Sequence, residues 1–396
     1  MNAPHNDLPI KKIILLLATA AFSSTSAFRV LDPALPHLSE EFGITTGQAA
    51  YVITWFVFAY GLLQFFYGPV GDRFGKFRTL AVATLVCAAG NLFVAVAPTF
   101  ELVLLGRFIS GGTAAAIVPM SMAWIGDNVD YEQRQVTLAQ FMTGTILGVS
   151  GGLVIGGVFT DTLGWRWSFV FLAGLYSVVG VWLLTQLKIV PDTRKEGRLQ
   201  VITPILNVLK TPWARVVLFV VLIEGALVFG GLSFVPAYLQ QRYGLSSTTA
   251  GLVTAFFGLG AMIYVVRARW LVSQFGEVRL TFIGGWALAI CYGTYLLGNH
   301  WLWAIVASAF CGFGYYLLHA VLQTNATQMT PAVRGTAVSL FASCLFGGQA
   351  LGVGAGSILV DYVGIGTVLG IAAAALPLLG MGFSYALAHR AKAPSS

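Results

Sequence analysis

The sequence predicts an all-α membrane protein with twelve transmembrane helices in two pseudo-symmetric six-helix bundles, and three observations carry that prediction. Of the 396 residues, 57% are hydrophobic and only 9% are charged, against about 25% charged in a soluble domain. Apolar runs long enough to cross a bilayer, about 20 residues each, recur along nearly the whole chain. The second half of the sequence also repeats the first. A net charge of +7 invites a nucleic-acid reading, but the cations sit in short loops between apolar runs rather than in one patch. No nucleic-acid partner is therefore expected, and the bilayer is the expected surroundings.

Taken in order, the apolar runs place spans near residues 12–37, 47–70, 78–98, 101–124, 135–158 and 166–187. Six more follow near 213–240, 248–269, 279–298, 300–325, 334–359 and 365–388. Lys and Arg concentrate in loops that stay in the cytoplasm. With these spans Lys11, Arg73, Arg134, Arg267, Arg334 and Arg390 share one side, while the other keeps only Arg166 and Arg242. Both termini are accordingly expected in the cytoplasm, with the chain in the cell (inner) membrane. Trp165, Trp167, Trp301 and Trp303 then fall at outer interfaces, where amphipathic rings are enriched. The stretch KKIILLLATAAFSSTSA has a basic start, an apolar core and small residues, as a cleavable signal does. Removing it would delete the partner of the seventh span, so it is read as span 1.

The only long polar interruption, KIVPDTRKEGRLQVITPILNVLKTP, lies at the midpoint. It divides the chain into a bundle over 1–190, a cytoplasmic linker over 191–211 and a second bundle over 212–396. A repeat supports the division. FGITTGQAAYV from Phe42 aligns with YGLSSTTAGLV from Tyr243 at an offset of 201 residues, which also carries Phe74-Gly75 onto Phe275-Gly276. Further on, an offset of 200 carries Arg134 to Arg334, Gly148 to Gly348, Gly152 to Gly352, Gly156 to Gly356, Asp161 to Asp361 and Gly164 to Gly364.

Three motifs stand on this frame. In GPVGDRFGKFR, residues 68–78, Gly68, Asp72, Arg73, Gly75, Lys76 and Arg78 crowd into the loop after span 2. Glycines permit a tight turn there, cations face the carbonyl end of a helix, and Asp72 is available to a neighbouring helix N-terminus. The spacing resembles the signature loop of the major facilitator superfamily, G-x-x-x-D-R-x-G-R/K-x-R/K. LGRFISGGTAAA, residues 105–116, resembles that family's fourth-helix motif, in which an intramembrane arginine precedes small residues. GVSGGLVIGG, residues 148–157, resembles its fifth-helix antiporter motif through Gly148, Gly152, Gly156 and Gly157, with Leu153 where the family has proline. In the second half the charged loop is lost, and Arg269, Ser273, Gln274 and Glu277 occupy its places. MTPAVRGTAVSLF, residues 329–341, is similar to the loop between helices 10 and 11 in efflux branches. The resemblance implies the twelve-helix fold and alternating access, with the signature loop and Arg134 acting in conformational gating; a monomer is expected.

Four ionisable groups fall inside apolar spans: Arg29, Asp32, Arg107 and Glu224. A central charge costs about 2.5–3.5 kcal/mol on insertion scales, so each must face a cavity or a partner. Arg29 and Asp32 are three residues apart and share a helix face, and Pro33 and Pro36 free carbonyls nearby. Either the two form an internal ion pair that holds span 1, or Asp32 alternates between protonated and ionised forms and couples proton flow to transport. The chain resembles the drug-proton antiporter branch, whose first span carries an aspartate four residues before a proline, as Asp32 precedes Pro36. That resemblance implies a proton or substrate site at Asp32 whose protonation Arg107 influences. Arg29 lies outside the pattern. Glu224 is read as a second proton site or a cation anchor, with a hydroxyl bond across helices as the structural alternative. His319 is a candidate switch, and Gln323 a polar contact to substrate.

Function classes can now be weighed. Cys87, Cys291, Cys311 and Cys344 are isolated, and no H-E-x-x-H, G-x-S-x-G or phosphate loop occurs, so neither an enzyme nor a metal or cofactor site is expected. Aromatic residues such as Tyr60, Phe229, Tyr315 and Tyr316, with one or two acids, suit an apolar or cationic compound. The expectation is proton-coupled efflux of such small molecules. The alternative is proton symport of an organic acid or sugar, with Arg29 and Arg107 holding a carboxylate.

Overall fold

A computed structural model describes residues 10–190 and 202–392. Residues 191–201 of the expected linker lie outside the described residues. Every described regular element is helical. The first half contributes α1 (Ile10–Phe42), α2 (Thr46–Phe74), α3 (Lys76–Val96), α4 (Phe100–Asn128), α5 (Glu132–Thr162) and α6 (Trp165–Gln186). After a short linker helix, Ile202–Lys210, comes α7 (Pro212–Tyr243). A continuous segment Ser247–Leu297 follows, then α10 (Leu302–Gln328), α11 (Arg334–Val363) and α12 (Ile365–Arg390).

Among the described residues eleven helical segments are therefore long and apolar enough to cross a membrane, one fewer than the sequence predicts. The missing boundary is at Gly276, inside Ser247–Leu297, where φ is 66° and ψ is 167°. That conformation is open essentially to glycine alone and cannot continue a helix. The repeat explains it: Gly276 is the counterpart of Gly75, which separates α2 from α3 with φ 89° and ψ 128°. The six positive-φ glycines in fact form three repeat pairs, Gly43 with Gly244, Gly75 with Gly276 and Gly164 with Gly364. We label residues 247–275 as α8 and 277–297 as α9. The polar residues expected between spans 8 and 9, Ser273, Gln274 and Glu277, lie at this corner, and the two spans run together as one segment only because helix continues on both sides of Gly276 with no loop between.

Two helices are interrupted within the bundle. In α1 the helix ends at Arg29, a 3₁₀ turn covers Asp32–Ala34, and helix resumes at Leu35. Pro33 and Pro36 cannot donate to the carbonyls of Arg29 and Asp32, so the helix opens at the two charges. In α7 the helix runs from Pro212 to Glu224, shifts to a π-helix over Gly225–Phe229, and breaks at Ser233-Phe234 before resuming at Val235. Pro236 stands at the place of Leu35 in the repeat, one residue from that of Pro36. The same device has therefore opened corresponding helices in both halves.

The halves meet along two related seams, α2 against α11 and α5 against α8. Within each half, glycines at every fourth position let α5 lie on α1 and α11 on α7. A Cβ at Gly148 would stand 2.5 Å from the carbonyl oxygen of Phe22, and one at Gly156 would collide with the carbonyl of Val30. Gly348 and Gly352 do the same against Leu222 and Ala226. Gly157 instead faces the carbonyl of Ser247 across the seam. Small residues in this pattern bring helix backbones together where no hydrophobic force drives association.

Candidate functional site

The two helix interruptions face each other, and Arg29 spans them. Its Nη2 lies 2.9 Å from Asp32 Oδ2, with both side chains fully buried. Nη1 donates to Ser233 Oγ at 3.2 Å and Nη2 to the Leu232 carbonyl at 3.5 Å, both in the break of α7. The Arg29–Asp32 contact is an ion pair by distance, yet neither Asp32 oxygen accepts a hydrogen bond. The sequence paired Arg29 with Asp32 but gave no sign of Ser233, since nothing local links residues two hundred positions apart.

Arg107 is fully buried beside this pair and is held by backbone. Its Nε donates to the Val52 carbonyl at 3.1 Å and Nη1 to the Ala27 carbonyl at 2.9 Å. Its guanidinium lies 4.1 Å from the ring centroid of Phe56, a cation-π contact that offsets part of the desolvation. Nη2 of Arg107 and Nε of Arg29 have no hydrogen-bond partner.

Glu224 and His319, which the sequence named separately, form one unit in the second half. His319 Nδ1 and Glu224 Oε2 share a hydrogen bond of 2.8 Å, with Glu224 fully buried and His319 nearly so. The imidazole stacks on Tyr315 with centroids 4.7 Å apart. Glu224 stands where α7 changes from α to π geometry, an irregularity frequent at functional sites. Gln323 lies one turn beyond His319 on α10 and is exposed.

Rings fill the space between the two charged sites. Phe28 lies 6.3 Å from Phe229 and 5.9 Å from Phe346, and Phe229 lies 5.1 Å from Tyr315. This chain joins α1, α7, α10 and α11. Tyr60, Phe229, Tyr315 and Tyr316 were named from sequence and belong to it or its edge. Trp55, Phe58 and Phe256, aromatic residues of the same spans that the sequence also offers for the cavity, are exposed. Phe28 and Phe346 were missed, because an aromatic in an apolar span carries no mark of which way it points.

A third constellation closes the end of the bundle away from the basic loops. Asp361, at the end of α11, accepts from Thr45 Oγ1 at 2.7 Å and from the Gly47 amide at 2.9 Å. Asp161, at the end of α5, accepts from the Ser247 and Thr248 amides at 3.1 and 2.7 Å. Each carboxylate thus caps the first turn of a helix in the other half, where unbonded amides favour negative charge. Gln240 Nε2 adds a bond to the Pro33 carbonyl at 2.8 Å. Residues 26–35 of α1 are buried beneath this closure.

The signature loop lies at the opposite, basic end. Lys76 pairs with Asp127, Gly71 admits Met120, and Arg134 bonds the Val129 carbonyl at 3.1 Å through Nη2. Asp72 is half-buried, and Arg73 and Arg78 are exposed. A side chain at Gly68 would meet open space, so packing does not account for that glycine.

Comparison with known proteins bears on this geometry. The sequence profile of the Major Facilitator Superfamily matches residues 17–332 and again 243–396. The MFS-type transporter YwfA of Bacillus subtilis is 24% identical over 392 residues, covering 95% of this chain and 93% of that one. The multidrug export protein EmrB of Haemophilus influenzae is 28% identical over 173 residues, 42% of this chain and 34% of its own. In fold, the crystal structure of the POT family transporter PepTSo superposes with a TM-score of 0.78 at 15% identity, covering 96% of this chain and 99% of the other.

Proposed function

Since the chain belongs to the Major Facilitator Superfamily, we propose that it is a secondary active transporter that expels small apolar or cationic compounds in exchange for protons. Two bundles, residues 1–190 and 212–396, rock about a midplane site. The basic end faces the cytoplasm of a cell whose inner membrane holds the protein as a monomer, both termini inside. The aspartate-capped end is the outer gate, closed in this conformation.

The observation that carries the reading is the Glu224–His319 hydrogen bond of 2.8 Å, buried beside the aromatic chain. A carboxyl and an imidazole in one bond can hold one proton with no net charge, and releasing it leaves a carboxylate that a bound cation can neutralise. Rings with a nearby acid suit a lipophilic cation through apolar contact and cation-π attraction. Asp32 acts in the gate, tied through Arg29 to the other half.

The test uses proteoliposomes with an imposed pH gradient and tetraphenylphosphonium as the probe cation. Wild type is expected to move the cation against protons, and Glu224→Gln to move it without proton counterflow. Unchanged coupling in both Glu224→Gln and Asp32→Asn would defeat the assignment of these acids.

A second reading has its own observation. Arg29 and Arg107 outnumber Asp32 in the first half, and each keeps one buried N–H group unpartnered. Two such donors suit a carboxylate, as proton symport of an organic acid requires. Accumulation of an organic acid inside vesicles under an inward proton gradient, with no cation export, would favour it.

A further inference from the structure

The linker helix Ile202–Lys210 is built with three distinct faces. Val208 is fully buried, and Pro204 and Ile205 are half-buried beside it, where the helix packs on α7 and α11. At 100° per residue, Ile202, Leu206 and Leu209 fall within an arc of about 60°. All three are exposed, by 73%, 49% and 41%. Thr203, Asn207 and Lys210 are also exposed and occupy the next arc of about 60°. One face therefore meets protein, one presents a continuous apolar stripe, and one is polar.

An exposed stripe of this kind needs a cover, and the chain indicates which. The helix runs directly into Thr211 and Pro212, where α7 begins, and the exposed Val216 and Phe219 of α7 follow. The stripe is thus continuous in sequence with the lipid-facing belt of a membrane-crossing helix. Charge points the same way. Residues 188–215 carry six Lys or Arg (Lys188, Arg194, Lys195, Arg198, Lys210 and Arg215) against Asp192 and Glu196. Basic residues beside a membrane surface attract acidic headgroups, and a helix with an apolar stripe beside a polar arc lies in the interface plane.

We propose that Ile202–Lys210 is an interfacial anchor, with Ile202, Leu206 and Leu209 seated among acyl chains and Lys210 and Arg215 held by acidic phospholipid headgroups. Because the helix packs on α7 and α11, both in the second half, it fixes that half to the leaflet at the basic end. The first half stays free to tilt. Acidic lipid would then set how the second bundle sits in the bilayer, whatever compound the protein carries.

The test places single spin labels on the full chain in a Cys344→Ser background, which removes the one native thiol that is not buried. Labels at positions 202, 206 and 209 are compared with labels at 203 and 207 in vesicles of phosphatidylcholine with and without one quarter phosphatidylglycerol. The first group is expected to be reached by oxygen and shielded from a soluble nickel complex, and the second group the reverse. Acidic lipid should raise the oxygen-to-nickel ratio at 206 by about twofold, and Lys210→Gln with Arg215→Gln should abolish that gain. Equal nickel access at 206 and 203 would overturn the proposal, as would a ratio indifferent to lipid charge. Shielding of 206 from both reagents would also overturn it, because a protein surface would then be covering the stripe.

Discussion

If the aspartate-capped end is the outer gate as proposed, removing the two caps should open it, and the bond geometry gives the size of the effect. Asp361 accepts two bonds, at 2.7 and 2.9 Å, and Asp161 accepts two, at 3.1 and 2.7 Å. Hydrogen bonds to a charged group contribute about 1.5–3 kcal/mol each when buried. Both carboxylates are exposed on one side, so about 0.7 kcal/mol per bond is the appropriate scale here, near the range for exposed charge pairs. Each Asp→Ala change should then shift the balance between closed and open outer gate by about 1.4 kcal/mol, or tenfold. The caps share no partner, so the double variant should shift it by about a hundredfold. Distances between spin labels on the outer ends of α2 and α11 read the populations directly. A double variant whose distance distribution matches wild type would refute the assignment of these bonds as gate contacts.

Arg29→Gln should leave Asp32 buried without its cation, at a cost of about 3–5 kcal/mol. Arg29→Gln with Asp32→Asn should recover most of the lost thermal stability, which a melting series in detergent would read. Gly156→Ala forces a methyl group into the Val30 carbonyl; overpacking of this kind costs about 1–3 kcal/mol, so yield and melting temperature should fall. Gly68→Ala, where a side chain meets open space, should leave both unchanged, and a loss of transport in that variant would mark a role in another conformation. His319→Gln should keep a neutral hydrogen bond to Glu224 while removing the imidazole. Cation movement is expected to survive in that variant with weaker proton counterflow, which the same vesicle assay reads.

Much of this architecture was legible in the sequence because the bilayer leaves so few alternatives. A spanning segment must satisfy its own backbone, so apolar runs read as helices. The offsets of 200 and 201 residues then foretold which elements correspond. The same offsets explain the one place where span counting and the helix boundaries diverge, since Gly276 repeats the backbone of Gly75. The charges in the spans were legible as exceptions, but their partners were not. Ser233 is a small polar residue among many, and only the folding of α1 against α7 brings it to Arg29. Asp161 and Asp361 were visible as a repeat pair, yet their work depends on which loop each reaches. Position on one helix face follows from spacing, whereas contact between helices depends on the bundle as a whole.

The two charged sites differ in a way that assigns them different parts of the proposed cycle. Glu224 and His319 lie on α7 and α10, within one half, so rocking of the bundles need not separate them. Arg29 belongs to the first half, and two of its three polar contacts, Ser233 Oγ and the Leu232 carbonyl, belong to the second. Opening the outer gate must break both. Arg29 would then face the arriving water with Asp32 as its remaining partner, and an ion pair in water is worth about 1 kcal/mol or less. The buried carboxyl of Asp32 meets water, and with it a proton donor, only once the gate opens. Proton access at Asp32 and opening of the gate are therefore one event on this reading. On the same reading, exchange at Glu224 and His319 is not tied to the opening of the gate, because both lie in one half.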